Sequence, residues 1–253
     1  MGDVPIELTP LYQRAISHFR AFEAEPWIVK PSIPVLYFGD LQAYAASPRK
    51  IVTVGLNPSN VEFEEQRFCA EGHPALEPDA LEQALSGYFQ LNPYSRWFDR
   101  AFETLLQPLG ASFYGMRRPG RAPHWWRAQT STALHTDVGT PLATHPTWSN
   151  LDVDVKLRLQ TTGLPLWMDL IEALEPDLIL ISVAPHHLDL LANVSWRSFK
   201  PFPSAERRHE MRIGRLGKSP VVWGRAQVTP FFHLTNEQRA LAAPTILSEA
   251  GLS

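Results

Sequence analysis

The stretch KIVTVGLNPSN, Lys50 to Asn60, decides the fold. Ile51, Val52, Thr53 and Val54 form an unbroken apolar and β-branched run, the composition of a strand covered on both faces. The run stops at Gly-Leu-Asn-Pro-Ser. Asn57 stands directly before Pro58, and the proline ring pushes the residue before it out of helical geometry into extended or turn conformation. The chain therefore presents a carboxamide where a buried strand ends. Open α/β sheets bind their ligands just outside the carboxyl ends of their strands.

Outward from that stretch, strands and helices alternate. LTPLYQRAISHFRAFEAE carries Leu8, Leu11, Ala15, Ile16, Phe19 and Phe22 at helical spacing, with Thr9-Pro10 as cap and first turn. VLYFGDLQAYAAS reads as a short helix or loop. An acid-rich passage to about Gln90 holds one helix from Pro78 to Tyr88, and RWFDRAFETLLQPLG reads as a helix stopped by Pro108 and Gly110. STALHTDVGTPLATHPTW reads as a second strand running into a loop. LPLWMDLIEALEPDLILISVAPHHLDLLANV reads as a helix, strand Asp177–Val183, a turn at Pro185 and another helix. After a basic loop, SPVVWGRAQVTPFFHLTNEQRALAAP gives a late strand ending near His233 and a helix after Thr235. The alternation predicts an α/β fold of three layers, helices on both faces of a central, mostly parallel four-stranded sheet. One domain over residues 1–253 is expected, with residues 1–48 as a helical extension.

Composition narrows the function classes. No apolar run approaches the roughly 20 residues that span a bilayer, and MGDVPIELTP lacks the basic and apolar regions of a signal peptide, so a cytoplasmic protein with no membrane partner is expected. Cys69 is the only cysteine, which excludes an intramolecular disulfide, a cysteine-held iron–sulfur cluster and a multi-cysteine zinc site. The net charge of −3 hides an asymmetry. Arg197, Lys200, Arg207, Arg208, Arg212, Arg215, Lys218 and Arg225 face only Glu206 and Glu210 in their segment, and Arg117, Arg118, Arg121 and Arg127 stand among Trp125 and Trp126 with no acid. A phosphate-facing surface shows this pattern, because local field rather than net charge steers a polyanion. Two solvated basic loops are the competing reading.

Two segments look alike: GLNPS, Gly55 to Ser59, and HLTN, His233 to Asn236, each place a polar side chain at a strand end. At these residues the chain resembles the uracil-DNA glycosylase superfamily, whose first motif is Gly-x-(Asp or Asn)-Pro-x and whose second begins with His or Asn followed by x-Ser/Thr. NPYSRWFDRAFETLLQPLGASFYG resembles the helix after the first motif in mismatch-type members. LHTDVGTPLAT resembles the family's Thr-Asn strand, and LIEALEPDLILIS its following helix and strand. The likeness runs in order from Lys50 to Pro244, and departs where HLT lacks a proline and where ISVAPHH lacks the expected glycine.

The resemblance implies a monofunctional DNA base glycosylase of uracil-DNA glycosylase-like fold. It is expected to act as a monomer without cofactor, on extruded or single-stranded DNA. Asn57 would hold the attacking water, which an amide can orient but not deprotonate; an oxocarbenium-like transition state tolerates a weakly engaged nucleophile. His233 would donate a hydrogen bond to the departing base, a pairing with Asn57 most similar to single-strand-selective members. Gly55, Ser59, Phe68 and Asp137 would form the base pocket, with Phe63 competing with Phe68 to stack the extruded ring. Arg239 would fill the duplex, and Arg117, Arg118, Arg121, Arg207 and Arg208 would hold phosphates. The small Ser59 leaves room for a C5 substituent, and an ionised Asp137 suits the amino group of a cytosine, so a modified cytosine such as occurs in phage DNA is the specific expectation. Neither motif holds a lysine to form a Schiff base, so an abasic site is the product.

Each residue has a plainer reading. His233 is then a core or capping histidine, Asn57 an Asn-Pro turn, Asp137 a buried cap, Phe63 and Phe68 core, and Arg239 a solvated helix residue. His145, His186, His187 and Asp189 lack tetrahedral zinc spacing and read as surface or rim residues. The rival function is a non-catalytic nucleic-acid or nucleotide-binding module on the same fold.

Overall fold

Ile51–Gly55 is a strand, β1, buried along its whole length. In the computed structural model, which describes residues 6–63, 67–69, 72–115 and 129–252, it lies inside a six-stranded sheet. The other strands are β4 (Leu134–Asp137), β5 (Leu178–Ile181), β6 (Arg197–Phe199), β7 (Met211–Leu216) and β8 (Ser219–Trp223), and β2 (Ala111–Ser112) pairs with β3 (Ser131–Thr132) in a separate ribbon. The order is β4-β1-β5-β8-β7-β6. The first four run parallel, and β7 and β6 extend that core antiparallel. The four-stranded expectation is thus corrected to six, because the stretch read as a basic loop supplies β6 and β7.

Helices cover both faces. Adjacent residues in a strand point to opposite sides, and His135 and Thr136 of β4 show what lies on each. The Thr136 hydroxyl accepts from the Trp167 indole at 3.0 Å, on the long helix α5 (Val153–Leu174). The His135 ring meets Phe98 at 5.0 Å and Phe102 at 5.4 Å, in a segment whose π turn leads into α4 (Glu103–Leu106). Helix α1 (Thr9–Phe22) packs on α5 and on α3 (Pro78–Ser86), with Leu11, Ala15 and Ile16 in the core. Helix α2 (Leu41–Ala45) is capped by Asp40, and α6 (Asn236–Ala250) packs on α4.

Three expectations shift. Helix α5 begins at Val153, well before the expected Leu164, and carries Pro165 inside it. Gly163 is why it seats there: a β-carbon at that position would stand 2.6 Å from the Gly139 carbonyl. The segment after Pro185 is a 3-10 turn, Pro185–Leu191, rather than an α-helix. The last parallel strand ends at Trp223, ten residues before His233. Among the described residues no helix is long and apolar enough to cross a membrane.

Candidate active site

A cleft of about 520 Å³ opens at the carboxyl ends of the four parallel strands. Leu56, Asn57, Pro58, Ser59 and Asn60 enter it after β1, Thr144 and Trp148 after β4, Ser182 and His187 after β5, and Gln227 after β8. Trp97 closes part of the wall. The connection from β1 leads to one side of the sheet, to β4, while β5 lies on the other side, so the cleft sits where the strand order reverses.

Asn57 is held by its amide nitrogen, which donates to the Pro58 carbonyl and the Thr144 hydroxyl, each at 3.1 Å, and lies 3.5 Å from the Leu142 carbonyl. These acceptors fix which way the carboxamide points. Its carbonyl oxygen accepts from no donor among the described residues, so it is available to a water or ligand. Ser59 spends its hydroxyl on the Val61 amide at 3.2 Å, opening a 3-10 turn, and bridges to Thr144 through the backbone.

The other expected pocket residues lie beneath the cleft, not on its wall. Gly55 ends β1 beside Asp137 of β4, and a β-carbon there would meet an Asp137 carboxylate oxygen at 2.4 Å. Asp137 is 6% exposed, and burial, then the nearby Glu62, raises its pKa well above the usual carboxylate range. Its neutral form is favoured, which replaces the ionised carboxylate expected from sequence. A neutral carboxyl both donates and accepts, as an amide does. His135 stands 3.8 Å from it and gives no countercharge, because burial lowers the histidine's pKa to about 3. Glu62 is also enclosed, accepts from the Tyr88 hydroxyl, and is pushed up to about 7 chiefly by burial. Phe68 is 3% exposed, packed against Phe38, Phe63 and Tyr88. Phe63 and Phe68 are both core in this arrangement, and neither lines the cleft.

The second segment differs more. His233 does not line the cleft; its ring stacks near Phe231 at 6.4 Å, and neither ring nitrogen makes a hydrogen bond among the described residues. Burial lowers its pKa to about 4, Arg225 and Arg239 push the same way, and the Arg225 backbone, short of hydrogen-bond geometry, opposes them in part. Arg239 is 4% exposed rather than solvated or aimed at DNA. Its guanidinium donates to the carbonyls of Arg100, Pro230 and Phe231, to Thr104 and to Asn236, between 2.9 and 3.2 Å. All five acceptors belong to the fold.

The basic segment also divides. Arg207 and Arg208 are exposed, Arg208 beside Glu206 at 3.1 Å. Register puts Arg212 opposite Trp223, at the cleft end of the sheet, and Arg215 opposite Pro220, at the far end. Lys218 there stands 3.8 Å from Glu175, and Arg197 pairs with Glu249. Arg117, Arg118 and Arg121 lie outside the described residues. Among the described residues no group of three His, Cys, Asp or Glu is arranged to hold a metal ion.

Sequence reasoning missed Thr144, Trp148 and Trp97 as cleft residues, and read His187 as a surface or active-site-rim residue without assigning it a role. The signal was present in one general form for Thr144 and Trp148, which follow β4, and for His187, which follows β5, but only the strand order shows that these segments converge; Trp97 precedes the π turn Phe98–Phe102 and has no strand end near it in sequence. No protein-family model, curated protein or solved structure matches the chain.

Proposed function

We propose that the protein hydrolyses the N-glycosidic bond of a nucleobase extruded from DNA, as a monofunctional base glycosylase. One observation carries the reading: Asn57 stands at the switch point of the sheet, anchored through its amide nitrogen and offering a carbonyl oxygen to a cleft walled by Trp97, Trp148 and small polar side chains. A planar ring with polar edges fits such a lining, since indoles supply apolar faces and hydroxyls and amides supply orientation. The ordered likeness to the uracil-DNA glycosylase superfamily supports the same reading.

In this reading a water accepted by the Asn57 carbonyl oxygen bonds to the anomeric carbon as the bond to the base nitrogen breaks. The bonding pair leaves with the base, and the transition state is oxocarbenium-like. Exposed Val228 and Phe232, on the same loop as cleft-lining Gln227, offer apolar surface for an unstacked duplex. Exposed Arg207, Arg208, Lys200 and Arg225 offer phosphate contacts. The small Ser59 at the cleft leaves room for a C5-substituted pyrimidine.

A second reading is favoured by one observation. Arg239, which the glycosylase likeness would place in the duplex, is built into the packing, and His233, which it would place against the base, does not line the cleft, as a nucleotide-binding module without catalysis would have them. One experiment separates the two. Oligonucleotides carrying uracil, hydroxymethyluracil, hydroxymethylcytosine or glucosylated cytosine are incubated with the protein, and abasic sites are then cleaved with alkali. Cleavage lost in Asn57→Ala supports the glycosylase; binding with no cleavage on any substrate supports the module.

A further inference from the structure

We infer that His187 accepts the proton of the water that Asn57 holds, an inference that rests on the glycosylase reading. Asn57 can orient a water but cannot take its proton. Among the described residues that line the cleft, His187 is the only one whose side chain carries a basic nitrogen lone pair; the rest are amides, hydroxyls, indoles and apolar groups. The two residues follow β1 and β5, which are parallel neighbours, and so reach the cleft from adjacent strand ends.

The setting of His187 suits the task. It stands early in the 3-10 turn after Ala184, with its own backbone amide bonded to the Ala184 carbonyl at 2.9 Å, so its ring leaves a fixed turn. Among the described residues neither ring nitrogen has a hydrogen-bond partner, and the side chain is partly buried. The groups that face it are His186 on the same turn, with ring centroids 4.0 Å apart, and Lys156 from α5. Burial first, then these two neighbours, lowers its pKa to about 4. The ring is therefore neutral at pH 7, with a lone pair to offer.

So weak a base is sufficient for this reaction. As the water oxygen bonds to an electron-poor anomeric carbon it acquires positive charge, and its protons become strongly acidic. One proton passes to the free ring nitrogen of His187, and the glycosidic electron pair departs with the base. The base anion then takes a proton from solvent, and His187 returns its own to solvent.

The test uses base release under single-turnover conditions by the full chain and its His187→Gln, His187→Gly and His186→Gln variants. His187→Gln is expected to slow release about a hundred-fold, the usual scale of a general base. His186→Gln stays within about three-fold, and added imidazole restores part of the rate of His187→Gly, which shows that the variant is folded. Wild-type release rises with pH through about 4, as His187 loses its proton, and is level above; His187→Gln lacks that limb. Release that needs Asn57 but is undiminished in His187→Gln, or that keeps the acid limb without the histidine, overturns this inference and leaves the glycosylase reading standing. No release by the wild type on any substrate overturns both.

Discussion

Gly55–Ser59 and His233–Asn236 read alike in sequence and occupy different surroundings in the fold. After β1 the chain turns at once, so Asn57 emerges at the strand end, half-buried, with one side of its amide tied down and the other open to the cleft. After β8 the chain runs ten residues further before His233, also half-buried, whose ring nitrogens are covered beside Phe231 and away from the cleft. Arg239, one turn into the next helix, is bonded to five acceptors of the protein itself. A polar residue at a turn can face a ligand or satisfy the fold: Arg239 does the second, Asn57 lines the cleft with its carbonyl oxygen unbonded, and His233 neither lines the cleft nor makes a hydrogen bond among the described residues.

That comparison breaks most readily at Arg239. Removing the guanidinium leaves the carbonyls of Arg100, Pro230 and Phe231 without their donor, so Arg239→Ala is expected to lose about 3 kcal/mol of stability. The midpoint of urea unfolding, at constant slope, reads it. A variant as stable as the wild type would return Arg239 to a DNA-facing role.

Asn57 should behave in the opposite way. Asn57→Ala is expected to slow base release about a hundred-fold, nearly 3 kcal/mol of barrier, while stability stays within about 1 kcal/mol because the site is only half-buried. A large fall in unfolding midpoint with activity retained would make Asn57 the structural member of the pair.

Gly55 sets the geometry on which Asn57 depends. In Gly55→Ala the new methyl meets Asp137 at 2.4 Å and His135 at 3.3 Å, so the buried carboxyl must move. A cost of about 2 kcal/mol is expected, and Asp137→Ala in the same chain should recover most of it, since the two effects share one contact. Additive losses would show that the methyl strains something else.

Asn57 was legible because its signals are local: an apolar β-branched run, a glycine, and an asparagine fixed by the proline after it. Thr144, Trp148 and His187 were not, because their meeting depends on β4 and β5 flanking β1, a non-local fact that no window of sequence carries. The β6–β7 pair hid among charges, although Met211, Ile213 and Leu216 are buried along β7 while Arg212 and Arg215 are less so. Helix α5 was shortened in reading by Thr161, Thr162, Gly163 and Pro165, poor helix formers that tertiary packing against Gly139 and Thr140 overrides. Phe68 and Arg239 were assigned outward roles because residue type alone says nothing about burial.

His233 is the subtlest case. Its folded pKa of about 4 lies below the ordinary 6.5, so above pH 6.5 it is neutral both folded and unfolded and costs nothing through titration. Between 6.5 and 4 the unfolded chain binds a proton that the folded chain refuses, and stability falls as the pH drops through that window. His233→Leu removes this dependence. At pH 7 the variant is expected to lie within about 1 kcal/mol of the wild type, since no hydrogen bond is lost, and to gain on it by about 2 kcal/mol by pH 5. Unfolding free energies at the two values read the difference. If instead the difference is flat with pH while base release collapses at pH 7, the ring is open to solvent and substrate, and His233 belongs beside Asn57 rather than opposite it.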